Sequence, residues 1–165
     1  MVEMLTLGQL SGLVGNLRRA SDLSRVARPL GLTGPLLTSW LRTYVRVRNV
    51  CAHHGRLWNL GLGVYPAIPT SSTVAWVSDR GAVAASDRRR RLYPVLVSLQ
   101  SVLTVVSPRS RWVERLSALL DRHPQVPLRG MGIPADWRSD PFWSARLGPA
   151  GRAAHLPPEP PGSTS

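Results

Sequence analysis

Arg48-Asn49-Val50-Cys51-Ala52-His53-His54-Gly55-Arg56-Leu57-Trp58-Asn59 closes a long amphipathic run that begins near Pro35. It holds two of the four histidines and the only cysteine of the chain. Upstream, Leu36, Leu37, Trp40, Leu41, Tyr44, Val45 and Val47 predict one broad apolar helical face. Thr33-Gly34-Pro35 opens that helix, with proline in the first turn, where its missing N–H costs nothing. Turning roughly 100° per residue from Arg42 places Arg46, Asn49, His53 and Arg56 with it in one polar stripe about 80° wide, provided the helix persists to Arg56. Trp40, Tyr44, Val45, Val47, Cys51 and Ala52 fall on the opposite arc. Arg48 falls there too, about 140° from His53. A charge on an apolar face must find a partner or reach out of it, because an unpaired buried charge is too costly.

Toward the N-terminus, Met4 to Leu17 carries Leu7, Leu10, Leu13, Val14 and Leu17 at helical period, interrupted by Gly8, Gly12 and Gly15. Ser21-Asp22 suits the N-cap of a short helix through Arg28, stopped at Pro29-Leu30-Gly31. Beyond Asn59 the period breaks. Gly61, Gly63, Pro66, Pro69 and Thr70-Ser71-Ser72-Thr73 predict a long loop over the end of the central helix. Val74 to Val77 fits either a short extended piece or a helical turn. Asp87 to Val106 reads as the next long helix, opened by Ser86-Asp87 and Arg88-Arg89-Arg90-Arg91, with Pro94 pointing to a true start near Tyr93. Four positive charges near a helix N-terminus oppose its dipole, so the run reads either as an anion site or as a solvated basic turn. Ser107-Pro108 opens a helix to about Arg122, ended by His123-Pro124. Met131, Ile133, Trp137, Phe142 and Trp143 look like anchors of an irregular C-terminal arm. The expected class is all-α: a helical domain over residues 1–146, then a disordered Gly/Pro/Ala/Ser tail over 147–165.

A chain of 165 residues has the length of one domain with a real core. All 21 basic residues are arginine, against 9 acidic ones, giving a formal net charge of +12. That balance predicts attraction to a polyanion, and guanidinium suits phosphate better than ammonium does. The alternative is a soluble basic protein whose charge only opposes aggregation. One cysteine excludes an internal disulfide framework. No signal peptide is visible, and the longest apolar run, Val95 to Val106, is far short of the ~20 residues a membrane span needs. The expected location is cytoplasmic, with no membrane partner.

The polar stripe suggests chemistry. Imidazole moves protons near neutral pH, and arginine beside it can stabilise charge on a phosphate. RNA cleavage needs a group to take the 2′-OH proton, a group to protonate the leaving 5′-oxygen, and positive charge. No metal is required when the attacking hydroxyl is the substrate's own. A competing reading makes His53 and His54 simple helix C-terminal residues favoured by the dipole, with Asn59 as a nearby stop. Zinc fits poorly: Cys51, His53 and His54 are too bunched to share a tetrahedral ion, and a second cysteine is lacking. Cys51, on the apolar arc, is expected to pack there. No Walker loop, dinucleotide fingerprint or carboxylate cluster is present, and no cofactor is expected.

The stretch from Arg48 to Asn59 resembles the signature of the Abi-like abortive-infection protein family. That family falls within the wider HEPN superfamily, whose ribonuclease motif is Arg, a polar residue, three variable residues, then His. Arg48, Asn49 and His53 match it position by position. Glu3 to Ser11 resembles the start of the family's C-terminal half. Met131 to Trp137 with Pro141-Phe142-Trp143 resembles its closing segment, so the likeness spans about residues 2 to 143. The family usually carries a further N-terminal region of comparable size, so this chain corresponds to the C-terminal portion. The resemblance implies a HEPN-like helical bundle acting as a metal-independent endoribonuclease in antiphage defence or as a toxin. It implies a homodimer in which two motifs face one cleft, with an antitoxin as a further partner. His53 would be the general acid/base, Arg48 would bind the scissile phosphate, and Asn49 would orient the pair. Arg42, Arg46 and Arg56 would track the RNA backbone. A non-catalytic RNA-binding or partner-binding module of the same fold is the alternative. His54 receives no role.

Overall fold

The computed structural model describes residues 5–85 and 87–147. Among the described residues the chain forms seven α-helices, short 3₁₀ segments and no strand, as the all-α expectation requires. The helices are α1 (Leu7–Gly15), α2 (Ala20–Ala27), α3 (Gly34–Ala52), α4 (Arg80–Ala85), α5 (Tyr93–Val106), α6 (Trp112–Arg122) and α7 (Pro141–Ser144). Of the tail expected over 147–165, Leu147 is instead buried in the core, and residues 148–165 lie outside the described residues.

α1 is set by a capping box. Thr6 Oγ1 accepts from the Gln9 N–H, and Gln9 Oε1 accepts from the Thr6 N–H at 2.8 Å. Both donors would otherwise be orphaned at a helix start. α2 starts at Ala20, one residue before the expected Ser21-Asp22 cap, and is continued by a 3₁₀ turn (Arg28–Leu30). Gly31, at φ 69°, then reverses the chain into α3. α1, α2 and α5 all pack on α3.

α3 is the axis of the molecule. Trp40 is fully buried, and its indole N–H donates to the Ala67 carbonyl at 2.8 Å. The Ser39 hydroxyl accepts from the Ala67 N–H at 2.9 Å. These two bonds strap the long loop after Asn59 across the middle of α3. Arg80 holds the loop's far end by donating to the carbonyls of Pro69, Ser71 and Val74. Val74 to Val77 is neither strand nor helix. It buries Val74, Trp76 and Val77, with Trp76 against Trp40 at 5.7 Å between ring centres.

The α5 region differs from a single long helix. Arg80–Ala85 makes the separate α4, and Asp87–Arg90 forms a 3₁₀ turn. α5 begins at Tyr93 with Pro94 in its first turn, because proline fits there and not inside a helix. The Tyr44 hydroxyl of α3 donates to Ser98 of α5 at 3.1 Å, and burial pushes that phenol well above its ordinary range. α6 starts at Trp112, later than Ser107-Pro108 suggested; the Ser110 hydroxyl accepts from the Trp112 N–H.

The arm packs as its aromatic anchors predict. Trp143 is fully buried, with Trp137 at 5.3 Å and Phe142 at 4.9 Å, both edge-on. Its indole N–H donates to the Tyr93 hydroxyl at 3.1 Å. Burial there pushes the Tyr93 phenol up to about 12. The arm is thereby fixed to the start of α5, which matters for the site.

Candidate functional site: the end of helix α3

α3 stops at Ala52, four residues before Arg56. His53 is the C-cap, at φ −95° and ψ 22°. His54 takes the left-handed conformation at φ 53°. The His54 N–H donates to the Cys51 carbonyl at 3.0 Å and the Gly55 N–H donates to the Val50 carbonyl at 2.7 Å. This is the hydrogen-bond pattern of a Schellman motif, with histidine at the position glycine usually fills. His54 thus has a structural role that its sequence context did not reveal. Gly55 is required next: an added Cβ would lie 2.8 Å from Val50 Cγ1 and 2.9 Å from the Val50 carbonyl oxygen.

The early stop corrects the stripe. Arg46, Asn49 and His53 do share one helical face and line one shallow cavity of about 340 Å³. Arg56 also lines it, but the turn after His54 puts it there, not helical angle. Its guanidinium lies 5.8 Å from the Trp58 ring centre. Arg42 is exposed on α3 and is not part of the cavity wall.

Arg48 does not sit inside an apolar interface of the monomer; it is exposed. Its Nη1 donates to Asn49 Oδ1 at 3.1 Å. The long side chain therefore wraps back toward the polar face, and Asn49 joins it to the cavity. With Oδ1 so engaged, the Asn49 amide NH₂ is the group left to donate. The His53 ring is exposed and has no hydrogen-bond partner among the described residues. Cys51 is also exposed, contrary to the expectation that it would pack. At the last turn of α3 Cys51 and Ala52 are both exposed, so among the described residues no neighbour buries the end of the apolar arc.

The second part of the stretch is bound into the fold. The Trp58 indole N–H donates to the Pro127 carbonyl at 3.1 Å. The Asn59 N–H donates to the Gly130 carbonyl at 2.9 Å, and Asn59 Oδ1 accepts from Arg91 Nη1 at 2.8 Å. Gly130 lies against the Trp58 ring so closely that a Cβ would meet Nε1 at 2.5 Å. Leu62 follows. Its carbonyl accepts from Arg46 Nε at 3.3 Å, and its N–H donates to the Arg90 carbonyl at 2.9 Å. Sequence reasoning missed these joints to Arg90, Arg91 and the arm. Their only sequence signal was an arginine run with no acidic neighbours beyond Asp87.

Among the described residues no three His, Cys, Asp or Glu side chains are grouped to hold a metal ion, and no helix is long and apolar enough to cross a membrane. The arrangement offers one imidazole, three guanidiniums and one amide around an open depression. That set can bind a phosphodiester and move a proton beside it.

Residues 1–59 match the sequence model of the family described as Abi-like protein. The match takes in α1 to α3 and ends at Asn59, so it includes every predicted site residue. The arm segment from Met131 to Trp143 lies beyond the matched range. The likeness is compatible with a role in abortive infection. No curated protein and no solved structure matches the chain significantly.

Proposed function

We propose that this chain is a metal-independent endoribonuclease of abortive-infection or toxin type, built on a HEPN-like helical bundle. One observation carries the proposal: Arg46, Asn49, His53 and Arg56 line one cavity, and Arg48 is joined to it through Asn49. In this reading the 2′-OH of the substrate attacks its own phosphorus, the bond from phosphorus to the 5′-oxygen breaks, and a 2′,3′-cyclic phosphate and a 5′-OH are formed. His53 accepts the 2′-OH proton or donates to the leaving oxygen. Arg48 and the Asn49 amide carry the charge that builds on the phosphate, and Arg46 and Arg56 hold the flanking backbone. Arg42, one turn upstream, extends that contact.

The reaction needs both an acid and a base, and His53 contributes the single imidazole among the described residues lining this cavity, which no carboxylate lines. A homodimer supplies the second group: His53 of the partner subunit, facing the same phosphate. The exposure of Arg48 and Cys51 on the last turn of α3 supports such a contact.

A second reading, a non-catalytic RNA-binding or partner-binding module, is favoured by the unsupported His53 ring. Among the described residues no hydrogen-bond partner fixes its tautomer. The two readings part in an assay of wild type against His53→Ala in chelator, with end-group analysis of the RNA. The ribonuclease reading expects 2′,3′-cyclic phosphate ends from wild type and a loss of about 10²-fold or more in the variant. Cleavage that survives the substitution, or that stops in chelator, contradicts it. Binding without products at any enzyme concentration supports the second reading.

A further inference from the structure

The run Arg88-Arg89-Arg90-Arg91 has no part in the proposed chemistry, yet the fold brings it to the edge of the His53 cavity. Buried Leu62 is one joint: it accepts from cavity-lining Arg46 and donates to the Arg90 backbone. Asn59, next in the chain to cavity-lining Leu60 and bonded to Arg91, is the other. Arg89 and Arg90 are exposed, and the Arg89 guanidinium lies 4.7 Å from the Tyr65 ring centre. Exposed Arg129 lines a neighbouring cleft of about 460 Å³, together with Arg88, Leu128, Ile133 and Pro134. Among the described residues, Arg89, Arg90, Arg91 and Arg129 have no carboxylate partner.

Such a turn is costly in isolation. The guanidiniums repel one another, and they precede the N-terminus of α5, whose dipole also opposes positive charge. The fold nevertheless holds the turn in place through Leu62, Asn59 and Gly132, where the arm backbone comes so close that a Cβ would lie 2.9 Å from Arg91 Cβ. A polyanion lying along the turn offsets the repulsion. An aromatic ring interleaved with guanidiniums suits unpaired bases, whose faces are open, better than a duplex or a lipid headgroup layer.

We infer that Arg89 and Arg90, with Tyr65 and Arg129, form a track for single-stranded RNA that continues the substrate path beyond the His53 cavity. The inference rests on the ribonuclease reading for what occupies the cavity, but it is tested by binding alone. The test compares His53→Ala with the triple variant His53→Ala/Arg89→Gln/Arg90→Gln. Their affinities for single-stranded RNAs of about 4 and about 16 nucleotides are followed by fluorescence anisotropy across salt concentrations. Both glutamine substitutions are at exposed side chains, and the backbone bond from Leu62 to Arg90 is retained. The track predicts that the long RNA binds the triple variant about 10-fold more weakly, with the slope of log K against log salt shallower by roughly 1.4. The short RNA binds both proteins alike. Equal affinity for the long RNA overturns the track, as does preference for duplex RNA or anionic phospholipid vesicles, or no RNA binding at all. Because neither protein contains His53, each outcome is independent of whether wild type cleaves RNA, which the end-group assay decides.

Discussion

Arg48–His53 and Trp58–Leu62 are close neighbours in the chain, and they treat their polar groups in opposite ways. In the first segment Arg48, Asn49 and His53 face solvent or a shallow cavity, and their one side-chain bond joins Arg48 to Asn49. In the second, Trp58, Asn59 and Leu62 are bonded to Pro127, Gly130, Arg90 and Arg91, all far away in sequence. Between them lies the Schellman turn of His54 and Gly55, which ends the helix and separates the two environments. Side chains that stabilise nothing visible in the monomer are the ones available for a substrate. Side chains that tie three segments together are accounted for by the fold. The stretch is thus an open segment and a clasp, set side by side, and on the ribonuclease reading the open one is the working segment.

The sharpest way to break this contrast is to exchange the consequences. Trp58→Ala removes a half-buried indole and its bond to Pro127, and should cost about 3 kcal/mol, seen as a drop on the order of 10 °C in melting temperature. Cleavage per folded molecule should hold. A Trp58→Ala protein with wild-type melting would mean that the clasp is not one. Arg48→Ala should do the reverse: melting unchanged, turnover down by roughly 10²-fold, with Arg48→Lys recovering only part of it because lysine lacks the planar fork. If Arg48→Ala instead unfolds the protein, the working segment is structural after all.

The smallest effect is expected at His54. A non-glycine residue in the left-handed region is strained by roughly 1 kcal/mol, so His54→Gly should raise stability by somewhat less than that and leave cleavage alone. A differential melt and a turnover assay on the same preparation check both parts. Loss of activity comparable to that of His53→Ala would show that the two adjacent histidines do not have separate roles.

Much of this was legible in the sequence, for a physical reason. Arg46, Asn49 and His53 recur at helical spacing, and helical geometry alone puts them on one face. The aromatic anchors of the arm announce burial by their size, and Trp137 and Trp143 are indeed buried. Arg56 could be placed with them only by assuming a helix that does not reach it. The signal for its end was Gly55, but the left-handed residue is the histidine before it, which composition does not flag. Angle on a helical wheel also misplaces Arg48, because a long flexible side chain can leave the direction of its Cα–Cβ bond. Cys51 fails for another reason: an apolar arc predicts burial only where a neighbouring element covers it, and among the described residues none buries Cys51 or Ala52 at the last turn of α3. The contacts of Arg90 and Arg91 with Leu62 and Asn59 join segments some thirty residues apart. Periodicity carries no information about such pairs.

On the ribonuclease reading, the imidazole of His53 does chemistry and holds nothing together. The direct measurement is RNA cleavage by His53→Gly with and without added free imidazole, alongside its melting curve. A folded, inactive variant whose cleavage returns as imidazole is added is the predicted result, since the exposed cavity leaves room for the free base. Undiminished cleavage by His53→Gly without imidazole would contradict it.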